Sequence, residues 1–155
     1  MGGVLGGNAA EAETPAPEMS VYIDTSVWFA AANIKDAHNA DAKQLLAQTP
    51  SRLSSDHVVV ETWLLLLRRI HWRAAERFWA GIRQGAAEIV TVMPVDLDLA
   101  WRITQTFPGQ KFSIVDRTSF AVMERLGITR VATFDDDFAI YRYGRNRDRA
   151  FEVLR

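Results

Sequence analysis

The amino-acid sequence predicts an α/β fold with three layers, α/β/α, around a central, mainly parallel sheet. Two observations predict this fold class. Short β-branched segments alternate with helical segments throughout residues 20–155, without an internal repeat. The second observation is the composition: the chain has 155 residues, no cysteine and 48% hydrophobic residues. This composition favours a single domain of this class, held together by its core and not by disulfides.

The segment 1–19 is predicted to lie outside this domain. It is rich in Gly, Ala, Glu and Pro, a composition typical of disorder, and Met19 stands directly before the first regular pattern. The segment is therefore either a disordered extension or a mis-annotated start, and residues 20–155 form the domain. It lacks the basic and apolar parts of a signal peptide, and no apolar stretch is long enough to span a membrane. We expect a cytoplasmic protein without a membrane partner.

The first half of the domain starts with a β-branched strand, followed by a polar turn and amphipathic helices. Apolar periodicity marks the helices, and Pro50, Asp56 and Gly85 mark their ends. The predicted elements are strand 21–23, a helix from residue 27, helix 36–48, strand 53–55, helix 56–70 with Asp56 as N-cap, and helix 73–83.

The second half repeats the alternation. Pro94, the Phe107-Pro108-Gly109 break and Gly127 delimit its segments, and Ser113 or its neighbour is a candidate N-cap. The predicted elements are strand 88–93, helix 96–106, a helix from about residue 113 to 126, and strand 130–134.

Four carboxylates occupy positions that favour a shared site. Asp24 follows the first strand and Asp135 follows the last, while Glu61 and Asp116 lie in early turns of apolar helices. Singly, each acid also fits an ordinary role as a turn residue, an N-cap or a first-turn helix acid. Together they would repel one another unless a cation were bound, and oxygen ligands without Cys or paired His favour Mg²⁺ or Mn²⁺.

The same residues carry a resemblance to a known family. The matching segments are VYIDTS at 21–26, Glu61, FSIVDRTSFAVM at 112–123, Gly127-Ile128, ATFD at 132–135, and Phe138. In order and approximate spacing, the chain from Val21 onward resembles the PIN-domain family, and within it the VapC-like toxin ribonucleases.

The resemblance implies a metal-dependent endoribonuclease that hydrolyses RNA phosphodiester bonds. Asp24 and Asp116 match the principal ligands of Mg²⁺ or Mn²⁺, Glu61 and Asp135 match the remaining acids, and Ser26 matches a supporting hydroxyl. The implied partners are an RNA substrate, a cognate antitoxin protein and a second copy of the chain in a homodimer. One departure is Asp137, where related sequences often carry a basic residue or His. The Thr-x-Asp register of Thr133 and Asp135 favours Asp135 as the acid at the metal, and we therefore assign Asp136 and Asp137 to a solvated loop.

Arginines follow the acids in two stretches. Residues 68–83 carry a net charge of +4 and residues 138–155 carry +3, so the total of −1 is a cancellation. These arginines are either solvated or bind a phosphate backbone. The candidates for RNA contact are Arg68, Arg69, Arg142 and Arg145.

Other aromatic and apolar residues have structural interpretations. The five tryptophans are predicted to pack in the core or at a protein interface. The run 64–67 is apolar around its whole helix, which indicates either a fully buried helix or a dimer or antitoxin interface. The three histidines have no metal-binding spacing and are assigned no catalytic role.

Two other enzyme classes fit poorly. An aspartate-nucleophile phosphatase needs a second Asp where the chain has Ser26, and a phosphoreceiver domain needs an Asp at the end of the strand 88–93. A catalytically silent PIN-like module for binding or assembly and a housekeeping RNA-processing nuclease remain as alternatives to the toxin.

Overall fold

Five parallel strands form one sheet in the computed structural model, which describes residues 19–155. The predicted disorder of the N-terminal segment therefore concerns residues that, apart from Met19, lie outside the described part. The strands are β1 (Val21–Ile23), β2 (Arg52–Ser55), β3 (Glu88–Val90), β4 (Arg130–Ala132) and β5 (Glu152–Leu154). Their order is β3-β2-β1-β4-β5, and every neighbouring pair is parallel, which confirms the predicted fold class.

Seven helices connect and cover the strands within residues 19–155. They are α1 (Thr25–Ala32), α2 (Asn39–Ala47), α3 (Asp56–Arg69), α4 (Trp72–Arg83), α5 (Pro94–Thr106), α6 (Ile114–Leu126) and α7 (Asp137–Ile140). The chain moves from β1 outward to β3 and then crosses to β4 and β5. Because parallel crossovers are right-handed, this reversal puts α1 to α4 on one face of the sheet and α5 to α7 on the other.

The core lies on both faces of the short central strands. Tyr22, Ile23 and Val131 are completely buried. The Tyr22 hydroxyl donates a hydrogen bond to Ser119 Oγ of α6 at 2.8 Å, so this buried polar group is satisfied. Tyr22 thereby ties β1 to the helix that carries Asp116.

Several predicted boundaries are wrong by a few residues. Regular strand structure in β3 ends at Val90 rather than at residue 93, because Val92 donates its amide to Asp56 of α3 and Met93 already caps α5. Strand β4 ends at Ala132, and the next residue, Thr133, donates its side-chain hydroxyl to Asp24. Ser55, not Asp56, is the N-cap of α3, since its side chain accepts the amide of Val58.

Strand β5 was absent from the prediction. It has three residues, follows an irregular Arg-rich loop, and shows no alternation long enough to be recognised. It pairs with β4 along its whole length, which buries β4 inside the sheet.

The surface of α3 to α5 exposes several large apolar residues. Leu64 and Leu67 are 38% and 37% exposed, so a fully buried α3 is wrong and the interface alternative remains. Trp28 is buried and Trp63 is half-buried, which confirms packing for these two tryptophans. In contrast, Trp72, Trp79 and Trp101 are exposed and do not belong to the core. None of the helices within residues 19–155 has the length and hydrophobicity needed to cross a bilayer.

Candidate active site

The candidate site lies beyond the carboxyl ends of β1 and β4. The chain leaves β1 toward β2 on one side, and β4 lies on the other, so the strand order reverses at β1. In open parallel sheets, this reversal leaves a crevice between helices of opposite faces, in which ligands bind. Asp24 follows β1 directly, and the segment from Thr133 to Asp137 follows β4.

The Asp24 carboxylate is buried and held by three hydrogen bonds. Its Oδ2 accepts from Ser26 Oγ at 2.8 Å, from Thr133 Oγ1 at 2.8 Å, and from the Ser26 amide at 3.4 Å. Burial raises the pKa of Asp24 to about 6, and the hydroxyl donors oppose this rise because they stabilise the charged form. Ser26 thus has the supporting contact that the sequence predicts.

Thr133 has a structural role that the sequence analysis did not assign. Its hydroxyl also accepts the amide of Asp135 at 2.9 Å, while Ser26 Oγ accepts the amide of Phe134 at 3.0 Å. The two hydroxyls therefore join the ends of β1 and β4. The Thr-x-Asp spacing was the signal available in the sequence, but it was used only to choose between the acids.

The Asp116 carboxylate lies in the first turn of α6 and is 7% exposed. Ser113 caps this helix, because its Oγ accepts a hydrogen bond from the backbone amide of Asp116 at 3.0 Å. This bond fixes the backbone that carries the acid. Within residues 19–155, no cation pairs with this carboxylate. Burial, and then the charges of Asp24, Asp135 and Asp137, raise the pKa of Asp116 to about 8.

A cluster of three carboxylates surrounds this group. The acid cluster consists of Asp116, Asp135 and Asp137, each of which offers an oxygen within 4.8 Å of the others. The prediction that Asp137 lies in a solvated loop is wrong, because it starts α7 and is half-buried. Burial and the charge of Asp135 raise the pKa of Asp137. Asp136 is exposed, as predicted, and pairs with Arg155.

Glu61 reaches the same site from α3. A cavity of about 240 Å³, here called the acidic cavity, is lined by Asp24, Thr25, Ser26, Phe29, Glu61, Leu65, Arg69, Asp116 and Asp135. Glu61 forms part of its wall but is outside the acid cluster. The structure therefore brings all four predicted acids to one cavity.

Of the four arginines predicted to contact RNA, Arg69 is the one that lines the acidic cavity. Arg68 lines the neighbouring groove together with Glu61 and Val115. Arg142 donates to the backbone carbonyls of Ala139 and Ile140, so its guanidinium group closes the end of α7. Arg145 is exposed in the loop before β5.

The residues present fit a divalent cation. The donor set is made of carboxylate oxygens, which Mg²⁺ and Mn²⁺ prefer, and the buried charge of Asp116 has no other counter-charge among the described residues. The hydroxyl Oγ1 of Thr25, in the cavity wall, is also buried without a hydrogen-bond partner. Bound among these acids, a divalent cation would neutralise phosphodiester charge and lower the pKa of an attacking water.

Fold and site together define a class: parallel α/β proteins with an acidic, cation-binding site at the carboxyl edge of the sheet. The chain belongs to the PIN domain family, whose model matches residues 21–143. The family predicted from the sequence motifs is thereby confirmed. PIN domains are metal-dependent nucleases.

Named relatives place the chain near one group within this family. It is 40% identical over 121 residues to the 23S rRNA-specific endonuclease VapC20 of Mycobacterium tuberculosis strain H37Rv. The aligned residues cover 77% of this chain and 92% of that protein. The crystal structure of M. tuberculosis VapC20, described as a sarcin–ricin loop cleaving toxin, matches with a TM-score of 0.73 and 38% identity. That match covers 77% of this chain and 93% of the VapC20 chain.

A more distant structure shares the fold. FitAcB from Neisseria gonorrhoeae matches with a TM-score of 0.63 and 16% identity over 87% of this chain and 96% of its own. The predicted resemblance to VapC-like toxins is thus confirmed by VapC20, and the fold by both structures.

Proposed function

We propose that this chain is a metal-dependent endoribonuclease, the toxin of a type II toxin-antitoxin pair, and that it cleaves ribosomal RNA within a structured loop. The observation that carries the proposal is the set of four carboxylates that line one cavity together with Arg69, none of which forms a salt bridge within residues 19–155. The 40% identity to a 23S rRNA-specific endonuclease supports the choice of ribosomal RNA as substrate.

The proposed cation ligands are Asp24, Glu61, Asp116 and Asp135, with Mg²⁺ or Mn²⁺ as the ion. The hydrogen bonds from Ser26 and Thr133 fix the orientation of Asp24. Glu61, on the wall outside the acid cluster, either completes the ligand shell of the cation or orients the attacking water. In the reaction, the water oxygen bonds to phosphorus and releases a proton, the phosphorus–oxygen bond to the ribose breaks, and the leaving ribose oxygen takes up a proton from solvent. Arg69 binds the charged phosphate.

The predicted partners belong to the same proposal. A toxin requires an antitoxin that covers its acidic cavity, and the exposed apolar residues of α3 offer a surface for this protein or for a second copy in a homodimer. A domain that spans 20–155 and a cytoplasmic location also remain parts of the proposal.

A cleavage assay tests the proposal. The full chain is incubated with 23S rRNA and with a synthetic sarcin–ricin hairpin, in Mg²⁺, in Mn²⁺ or in EDTA. We expect cleavage at one position in either metal and none in EDTA. Cleavage in EDTA would contradict metal dependence. Mn²⁺ binding without cleavage of any RNA would instead favour the catalytically silent module.

We predict that Arg69→Ala weakens RNA binding and reduces its salt dependence, because Arg69 is the cation that lines the acidic cavity. One lost phosphate contact lowers the slope of log affinity against log salt by about 0.7 for single-stranded RNA. The measurement is a salt titration of hairpin binding in the Asp24→Asn background, where the RNA should stay intact. Arg83→Ala is the control, since Arg83 lies over the Trp79 ring at 5.8 Å. Equal slopes for both variants would remove Arg69 from the RNA interface.

A further inference from the structure

The wall of the acidic cavity contains two apolar side chains that a cation site does not require. Phe29 of α1 and Leu65 of α3 line this cavity together with the carboxylates and Arg69. Both side chains are half-buried, so part of each remains open to a ligand. A divalent cation binds oxygen atoms, and neither side chain offers one. The apolar part of the wall is therefore free to contact a different part of the substrate.

Phe29 reaches the cavity because of its place on α1. Within residues 24–30, Ser26 and Phe29 are partly exposed and the others are buried. The two lie three residues apart and therefore share one face of the helix. Ser26 holds the carboxylate of Asp24 through its hydroxyl, so Phe29 follows this acid by about one helical turn. Phe29 also packs against buried residues of α3 and α4, which fixes its position.

The α3 part of the wall runs from a charge through an apolar residue to the opposite charge. Glu61, Leu65 and Arg69 are spaced by four residues, so they form one stripe along the helix. With a rise of about 1.5 Å per residue, Glu61 and Arg69 lie roughly 12 Å apart along the helix axis, with Leu65 between them. The cavity thus has an acidic end, an apolar middle and a cationic end.

This arrangement matches the chemistry of a nucleotide. The phosphate is anionic and suits a cation held by the acids or the guanidinium group of Arg69, whereas the base has apolar faces that stack on aromatic rings. Sequence-specific recognition of RNA mostly targets unstacked bases of loops, which stack on side chains such as Phe. Among the described residues, Phe29 is the one aromatic side chain in the wall of this cavity.

We propose that Phe29 and Leu65 form a base-binding subsite, which holds one unstacked base of a nucleotide next to the scissile phosphate. Phe29 stacks on the base, and Leu65 excludes water from it. This inference rests on the proposed function and deepens it, because the subsite lies between the acids and Arg69, the groups that hold the phosphate charge. A base inside a duplex is already stacked, so the subsite selects nucleotides of loops.

The test compares removal of the ring with removal of the base. Binding of the sarcin–ricin hairpin in Mn²⁺ is measured by fluorescence anisotropy in the Asp24→Asn background, with and without Phe29→Leu. Two further hairpins carry an abasic nucleotide on one or the other side of the position that wild type cleaves. We expect Phe29→Leu to weaken binding of the intact hairpin by at least about 5-fold, the lower limit for loss of one base–aromatic stack. With one of the abasic hairpins, Phe29→Leu should have no further effect, because the stacked base is already missing.

Phe78→Leu is the matched control. Phe78 is also a half-buried phenylalanine that packs against the same buried residues of α3 and α4, but it lines a different cavity. We expect this variant to bind all three hairpins like the Asp24→Asn parent. Circular dichroism checks that each variant is folded. If Phe29→Leu is unfolded, Phe29→Met replaces it, because the flexible Met side chain fills irregular space without a ring.

The outcomes separate this inference from the proposed function, which cleavage of the hairpin by wild type tests. If wild type cleaves the hairpin but Phe29→Leu binds it like the parent, the subsite is overturned, and the apolar wall is left to a protein partner. If Phe29→Leu weakens the intact and both abasic hairpins equally, the ring does not stack on these bases and the subsite is also overturned. If wild type cleaves no RNA, the proposed function and the subsite fail together.

Discussion

Replacing Asp24 or Asp116 with Asn is expected to lower the rate of RNA cleavage by more than about 100-fold, the upper range for loss of an indirect ligand partner. Each change keeps the shape of the side chain and removes a buried negative charge from the cavity. The remaining acids then hold a cation too weakly to neutralise the phosphate. The measurement is single-turnover cleavage of the hairpin in Mn²⁺ with enzyme in excess.

The control for this prediction is Asp98→Asn on the exposed side of α5, which should cleave at the wild-type rate. Each variant must melt cooperatively, so that loss of activity is not loss of fold. Wild-type rates in both Asp24→Asn and Asp116→Asn would remove these acids from the reaction.

The metal-free protein is expected to lose stability as pH rises from about 6 to 8. Asp24, with a pKa of about 6, and Asp116, with a pKa of about 8, keep protons in the folded state that the unfolded chain has already released. In the unfolded chain both carboxyls have a pKa near 4, so their contribution to the free energy of unfolding is fully present below about pH 4. This contribution is lost as the pH rises through the folded pKa values of about 6 and 8. A bound divalent cation should reverse this trend, because it favours the charged carboxylates.

Thermal melts in EDTA at several pH values measure this effect. We expect Asp116 to contribute about 2 kcal/mol between pH 6 and 8, which corresponds to a fall in Tm of roughly 5 °C for a domain of this size. Asp116→Asn should lack this fall and exceed wild type in Tm at pH 8. If the Tm of wild type and that of Asp116→Asn fall equally between pH 6 and 8, the Asp116 carboxyl is already charged at pH 6.

The sequence was sufficient to predict those site residues that stand next to a recognisable strand or within a recognisable helix. Asp24 and Asp135 could be placed together because Asp24 directly follows β1 and Asp135 comes shortly after β4, and parallel strands end at one edge of the sheet. Asp116 could be recognised as a buried acid because its helix is apolar on either side. The same helix begins after Ser113, whose hydroxyl caps it, and ends at Gly127, whose backbone is in the left-handed region, as predicted.

What the sequence did not predict depends on tertiary contacts. Asp136 and Asp137 are identical in type and adjacent, and only the packing of Phe138 on Phe120 decides which of them faces the acids. Strand β5 is stable only because β4 is already there to pair with it. The exposure of Leu64 and Leu67 depends on how far α4 covers α3, which their periodicity does not specify.

The pairing of β1 with β4 has a consequence for biosynthesis. A nascent chain presents Asp24 early, but Thr133, which holds its carboxylate, and Asp135 and Asp137 emerge only near the end of the domain. Because synthesis proceeds from the N-terminus, the cavity cannot assemble while most of the chain is still being made. We expect that ribosomes producing this protein are not exposed to its activity until translation of the domain is almost finished.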